Sequence, residues 1–149
     1  MRFALLFAAL PLLAQTSAKP LLQKAPGDPV TLRIFATSLP DRAPLELRWE
    51  VIYPAQLMDR EGDEAGPAAV DSGKMLECKP NKEYSFVCVL AGGKKPIADG
   101  QIAVFHFRVR PEATPGRVTL RVQSASARQK DDTEAALKST ESVFIIATR

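Results

Sequence analysis

The sequence predicts an all-β chain, a jelly-roll β-sandwich of about nine strands in two sheets. Three observations carry this. Apolar residues recur with period two in one short run after another, turn dipeptides separate the runs, and no stretch of roughly 10–15 residues keeps a helical period. Taking the runs in order, Val30, Leu32 and Ile34 alternate with Thr31 and Arg33. Leu45, Leu47, Trp49 and Val51 alternate with Glu46, Arg48 and Glu50, which puts Trp49 on the buried face of its strand. Phe86, Cys88 and Leu90 share one side of residues 84–90. In residues 101–110 one face carries Ala103, Phe105, Phe107 and Val109, and the other Ile102, Val104, His106 and Arg108. Val118, Leu120 and Val122 alternate with Arg117, Thr119 and Arg121. The run from Val143 to Thr148 is apolar on both faces and suits a central or sandwiched strand.

Pro40-Asp41, Gly62, Gly66-Pro67, Gly92-Gly93, Asp99-Gly100 and Pro115-Gly116 punctuate these runs. Residues 130–138 are the one stretch that reads as a short helix. Residues 30–149 then form a single β-sandwich domain, and residues 19–29, with three prolines and a glycine, read as a flexible lead-in.

Composition excludes several function classes. The chain has 149 residues, 25% of them charged, with 20 Lys+Arg against 17 Asp+Glu. That is too ordinary for a disordered tail and too balanced for the clustered basic face of a nucleic-acid protein. One histidine starves most acid–base and zinc chemistry.

Residues 1–18 read as a secretory signal peptide. Arg2 is the positive end, Phe3 to Ala14 the apolar run, and Gln15 to Ala18 the small polar cleavage region. The apolar run falls well short of the ~20 residues needed to cross a bilayer, so the reading is an exported chain with no membrane span. Export places Cys78 and Cys88 in an oxidising compartment, where they read as a disulfide across the Pro80-Asn81 turn; the alternative is two buried thiols.

A search for chemistry finds little. His106 is the only base available to a hydrolase triad, and it sits mid-strand between Phe105 and Phe107, as a residue of the outer sheet face would. There is no nucleophile elbow, no zinc-protease motif and no phosphate loop. The acidic cluster Asp59, Glu61, Asp63 and Glu64 misses the calcium-loop pattern, because its sixth position is Glu64 where glycine is needed. It reads as a solvated loop, and no cofactor or metal is expected. Sugar stacking would fall to Trp49, Tyr53 and Tyr84, of which Trp49 has buried parity. Ile102 and Val104 are too apolar for a solvated face. They lie under a neighbouring loop, or they form an exposed patch for a protein partner with Val87 and Val89 beside them.

LRWEVIYPAQL at 47–57, AGPAAVDSGKMLEC at 65–78, FVCVLAGGKKPIADGQIAVFHFRV at 86–109 and ATPGRVTLRV at 113–122 together resemble the cohesin domains of exported bacterial proteins. The resemblance covers residues 30 to 148. It implies a nine-stranded jelly roll in the superfamily of cellulose-binding modules, and a non-catalytic receptor for dockerin modules, in which the calcium belongs to the dockerin. It places a partner surface on one sheet that includes the strands 84–90 and 101–110, with Val87, Val89, Ile102, Val104, His106 and Arg108 as candidates. One departure is Tyr53-Pro54, where many cohesins read Tyr-Asp-Pro. The expected function is therefore a secreted, monomeric binding module for a dockerin-like partner, in polysaccharide-degrading assemblies. The alternatives are a carbohydrate-binding module of the same superfold and a structural or adhesive surface subunit that exchanges strands between copies.

Overall fold

The computed structural model describes residues 21–38 and 42–148. The expected signal peptide at 1–18 lies outside the described residues. Ten strands and one short helix follow in the order β1 (Leu22–Lys24), β2 (Pro29–Ala36), β3 (Glu46–Ile52), β4 (Met58–Ala65), α1 (Pro67–Asp71), β5 (Met75–Lys82), β6 (Ser85–Ala91), β7 (Gly100–Val109), β8 (Gly116–Arg128), β9 (Glu134–Ala136) and β10 (Thr140–Ile146). They form two sheets. A seven-stranded sheet runs β1-β10-β8-β3-β6-β5, with β9 on β8, and a three-stranded sheet runs β2-β7-β4. All pairings are antiparallel except β1 with β10.

The period-two runs become the inner faces. Leu47, Trp49 and Val51 of β3, Phe86, Cys88 and Leu90 of β6, and Val118, Leu120 and Val122 of β8 face Ala103, Phe105, Phe107 and Val109 of β7 in one core. Its centre is aromatic. The rings of Phe86 and Phe105 stand edge-on with centroids 5.1 Å apart, and Tyr53 packs 5.3 Å from Phe107. The Arg60 guanidinium lies over the Phe86 ring, 4.0 Å from its centroid, and closes that end of the core. β10 lies between β1 and β8, with Phe144 and Ile146 buried and Val143 and Ile145 half-buried.

Four stretches differ from the sequence expectation. The stretch read as a flexible lead-in contains β1, because Leu22, Gln23 and Lys24 find open backbone partners opposite Phe144, Ile145 and Ile146. The acidic cluster is a strand, β4, not a loop. Its carboxylates stand on the solvent side of a sheet edge, where Arg108 of β7 and Arg110 just after it offset Glu61 and Asp59. Residues 130–138 are not helical. A turn leads into β9, which pairs Glu134–Ala136 with Arg128–Ser126 of β8 and so gains backbone partners that a short solvent helix lacks. The helix lies instead at α1, started by Pro67 in its first turn, with Ala68 and Ala69 buried.

Cys78 and Cys88 are directly opposed across β5 and β6 and form a disulfide, with Cα atoms 4.1 Å apart. Closing this short loop contributes about 2–3 kcal/mol by chain entropy. Cys88→Ser is expected to lower the urea-unfolding free energy by about that amount. Thiol titration of the denatured, unreduced protein is expected to find no free sulfhydryl.

Candidate functional site: the outer face of the large sheet

The six residues expected to form a partner surface do not converge. Val87 and Val89 lie on β6 of the seven-stranded sheet, whereas Ile102, Val104, His106 and Arg108 lie on β7 of the three-stranded sheet. β6 and β7 are successive strands, but the chain crosses from one layer to the other between them. The expectation of one shared sheet is therefore corrected.

The β7 residues are also occupied. Ile102 is 2% exposed and lines the space between the sheets with Leu47 and Trp49. A bulge between Ile34 and Phe35 leaves it out of the β2 register. Val104 is buried between Arg33 of β2 and Glu64 of β4, its cross-strand neighbours. His106 Nε2 lies 3.1 Å from Glu64 Oε1, on the outer face as the sequence implied. Arg108 donates through Nε and Nη2 to the two carboxylate oxygens of Glu61, and through Nη1 to the carbonyl of Gly27 at 2.9 Å. Arg110 pairs with Asp59 at 2.8 Å. This face is a self-compensated ladder of ion pairs. Among the described residues no group of three or more His, Cys, Asp or Glu is placed to hold a metal ion.

The sugar-stacking alternative fares no better. Trp49 is 3% exposed, and Tyr53 packs on Phe86 and Phe107. Of the three rings expected to stack, only Tyr84 is exposed, and one ring makes no row.

The outer face of the large sheet is different. Along β6 and the edge of β5, Ala91 stands opposite Met75, Val89 opposite Glu77 and Val87 opposite Lys79. On the other flank Val89 meets Arg48 and Val87 meets Glu50. Met75 is 79% exposed, the most exposed large apolar side chain described. Val87 and Val89 floor a shallow hollow of ≈ 290 Å³ rimmed by Arg48, Glu77, Lys79, Pro80 and Asn81. The result is an apolar stripe with a charged rim, the pattern of a docking surface. The sequence reading missed Met75 because M-L-E-C-K alternates like a polar edge strand.

Glu50 is buried at the centre of this face. Asn81 Nδ2 donates to its Oε1 at 2.8 Å and Gln123 Nε2 to its Oε2 at 3.2 Å. The carboxyl is held below its ordinary 4.5, first by the neighbouring Ser85 hydroxyl and then by the Asn81 and Gln123 amides, against the opposing effect of burial. Because the folded-state value is the lower one, this stabilisation is full above 4.5 and is lost as pH falls through the folded-state value. Glu50→Gln, which sets amide against amide, is expected to cost about 1–3 kcal/mol at neutral pH. In urea titrations across pH, the gap between the two proteins is expected to shrink below 4.5.

Lys74, between α1 and β5, is also buried, and its Nζ donates to the Gly92 carbonyl at 2.7 Å. Burial, and secondarily the Arg128 charge, push its ammonium down from 10.5, with Glu46 opposing. It ties the start of β5 to the loop after β6.

The fold and this face together describe a β-sandwich that offers a surface. Solved structures give the fold its name. The chain superposes on the sixth cohesin of scaffoldin B from Acetivibrio cellulolyticus, solved with a Cel5 dockerin, with TM-score 0.72 and 13% identity over 85% of this chain and 94% of that one. The OlpA type I cohesin–dockerin complex from Clostridium thermocellum gives TM-score 0.72 and 16% identity over the same shares. A non-cellulosomal cohesin from the archaeon Archaeoglobus fulgidus gives 0.67 and 14%, over 85% of this chain and 87% of that one. The chain has the cohesin fold, the jelly-roll sandwich that the resemblance implied. No family model matches it, and no curated protein does.

Proposed function

We propose that the chain is a non-catalytic, secreted binding module that docks a dockerin-type partner through the outer face of its seven-stranded sheet. The observation that carries this reading is the stripe Met75, Val87 and Val89, rimmed by Arg48, Glu77 and Lys79. Two of its neighbours by fold were solved in complex with dockerins. On the opposite layer, His106, Arg108 and Arg110 are already committed to carboxylates of β4. Hot spots sit where apolar side chains are ringed by polar groups that exclude water. The disulfide and the N-terminal leader both suit an extracellular setting, where a polysaccharide-degrading assembly would form.

The test is capture of dockerin-bearing enzymes on the immobilised protein, with calcium and then with chelator. Capture that chelator abolishes is expected, because the calcium belongs to the dockerin. Val87→Asp with Val89→Asp is expected to reduce it at least about tenfold, since a carboxylate buried at a docking centre costs more than ~1.4 kcal/mol. Capture indifferent to chelator, or unaltered by the aspartates while the fold is intact, counts against the reading.

A further inference from the structure

Along one seam of the sandwich two grooves run into each other. The first is walled by five consecutive residues of β2, Thr31 to Phe35, and three consecutive residues of β10, Thr140 to Ser142, over a floor that includes Leu120 and Val122. Successive strand residues point to opposite faces, so a wall of consecutive residues is a strand edge. The topology agrees. β2 ends its sheet and pairs only with β7, and β1 covers β10 only from Phe144 to Ile146. Backbone donors and acceptors of both edges therefore border one groove. The second groove shares Ile34, Phe35, Val122 and Thr140 with the first and encloses ≈ 330 Å³ over Leu47, Trp49 and Ile102. Trp49 is 97% buried, and its indole N–H has no acceptor in the structure. Phe35 and Leu137, at the lips, are 65% and 47% exposed.

We propose that this seam binds an extended peptide strand from a partner protein, with alternating apolar side chains and flanking carboxylates. Two facing edges supply main-chain pairing on both sides of such a strand, and the apolar floor takes every second side chain. An acyl chain would match the floor but leave both rows of edge groups unpaired. The charge at the seam selects acidic flanks. Arg33, Arg42 and Lys138 line it and enter no ion pair among the described residues. The carboxylates beside them are engaged, Glu141 by Arg121 and Asp99 by the backbone and hydroxyl of Ser38. This surface shares only Arg48 with the rim of the Val87–Val89 hollow, so the module carries a second binding site.

Trp49 is the only tryptophan, so its emission reports occupancy of the cleft. The probe is a synthetic peptide of alternating valine and threonine with glutamate at both ends, with a centrally proline-substituted version as control. Titration of the folded protein is expected to shift Trp49 emission and to slow amide exchange at 31–35 and 140–142, and the proline peptide is expected to do neither. Phe35→Ala with Leu137→Ala, both on exposed lips, is expected to weaken binding roughly tenfold. Val87→Asp with Val89→Asp is expected to leave it unchanged, which separates this site from the dockerin face. The proposal is overturned by any of four results: no emission change up to about millimolar peptide, equal binding of the proline peptide, protection appearing elsewhere, or both edges protected before peptide is added. The last would mean that the chain itself or a second copy fills the seam.

Discussion

Gly66→Ala is expected to be among the most damaging single-methyl changes in this protein. An alanine Cβ at this position would lie 2.2 Å from the Gln101 carbonyl oxygen, 2.6 Å from its carbon and 2.9 Å from the Ile102 nitrogen. All three are backbone atoms of β7, so no side chain can swing aside. Backbone dihedrals are not the cause. Gly66 has φ −75 and ψ 166, which any residue adopts. The requirement is close approach. The Gly66 N–H donates to the Ile102 carbonyl at 2.8 Å, and its own carbonyl accepts from Ala69 and Val70, so one residue clamps the start of α1 onto β7. Relieving the overlap breaks that clamp and opens the packing of buried Ala68 and Ala69. The expected cost is at least about 3 kcal/mol, the upper part of the overpacking range, read as a fall in urea midpoint. Gly62→Ala is the control. Its Cβ meets nothing within 4 Å, and its midpoint is expected to stay put. Equal effects at the two glycines would show that α1 does not seat on β7 as described.

Phe105→Ala is expected to cost about 3–5 kcal/mol. Phe105 is fully buried, edge-on to Phe86 at 5.1 Å, and Phe86 is in turn in ring contact with Tyr53 and Phe107. Removing the ring at the centre of this cluster leaves a cavity that two paired sheets cannot collapse to fill. Arg108→Ala, three residues along the same strand but on the solvent side, is expected to leave stability nearly unchanged, because exposed ion pairs contribute little. Paired chemical denaturation of the two variants is the measurement. Equal losses would mean that the parity of β7 is assigned wrongly.

That parity shows how far the sequence could be read. Alternation in 45–51, 86–90 and 117–122 reports directly which side chains are inside, because strand geometry is fixed locally by the backbone. Trp49 was placed inside on that ground, and it is buried. The disulfide, too, was legible from two cysteines flanking a turn. Strands β1, β4, β5 and β9 were not legible. Each is a sheet edge or an addition to one, where a single face or none is buried, so their sequences keep the polar composition of loops. Residues 130–138 misled for a related reason. Their helical preference is a few tenths of a kcal/mol per residue, less than the backbone pairing β8 offers to Glu134–Ala136.

The candidate surface divided in the same way. Val87 and Val89 could be identified from alternation as outward-facing, and they are half-buried on the outer face of β6. What alternation could not say is which layer each strand joins. The chain crosses between sheets after β6, so Val87 and His106 end on opposite sides of the molecule. The carboxylates that pair with Arg108 and His106 come from 42 to 47 residues away in the chain.

By itself the sequence determined the all-β class, the inward faces of the principal strands and the cross-link, since each follows from interactions among near neighbours along one strand or hairpin. Only the tertiary structure decided which strands share a sheet, how Met75 joins Val87 and Val89, and where the seam between β2 and β10 stays open. Those outcomes depend on contacts between distant segments, whose pairing is chosen by the burial of the whole core and not by any local pattern.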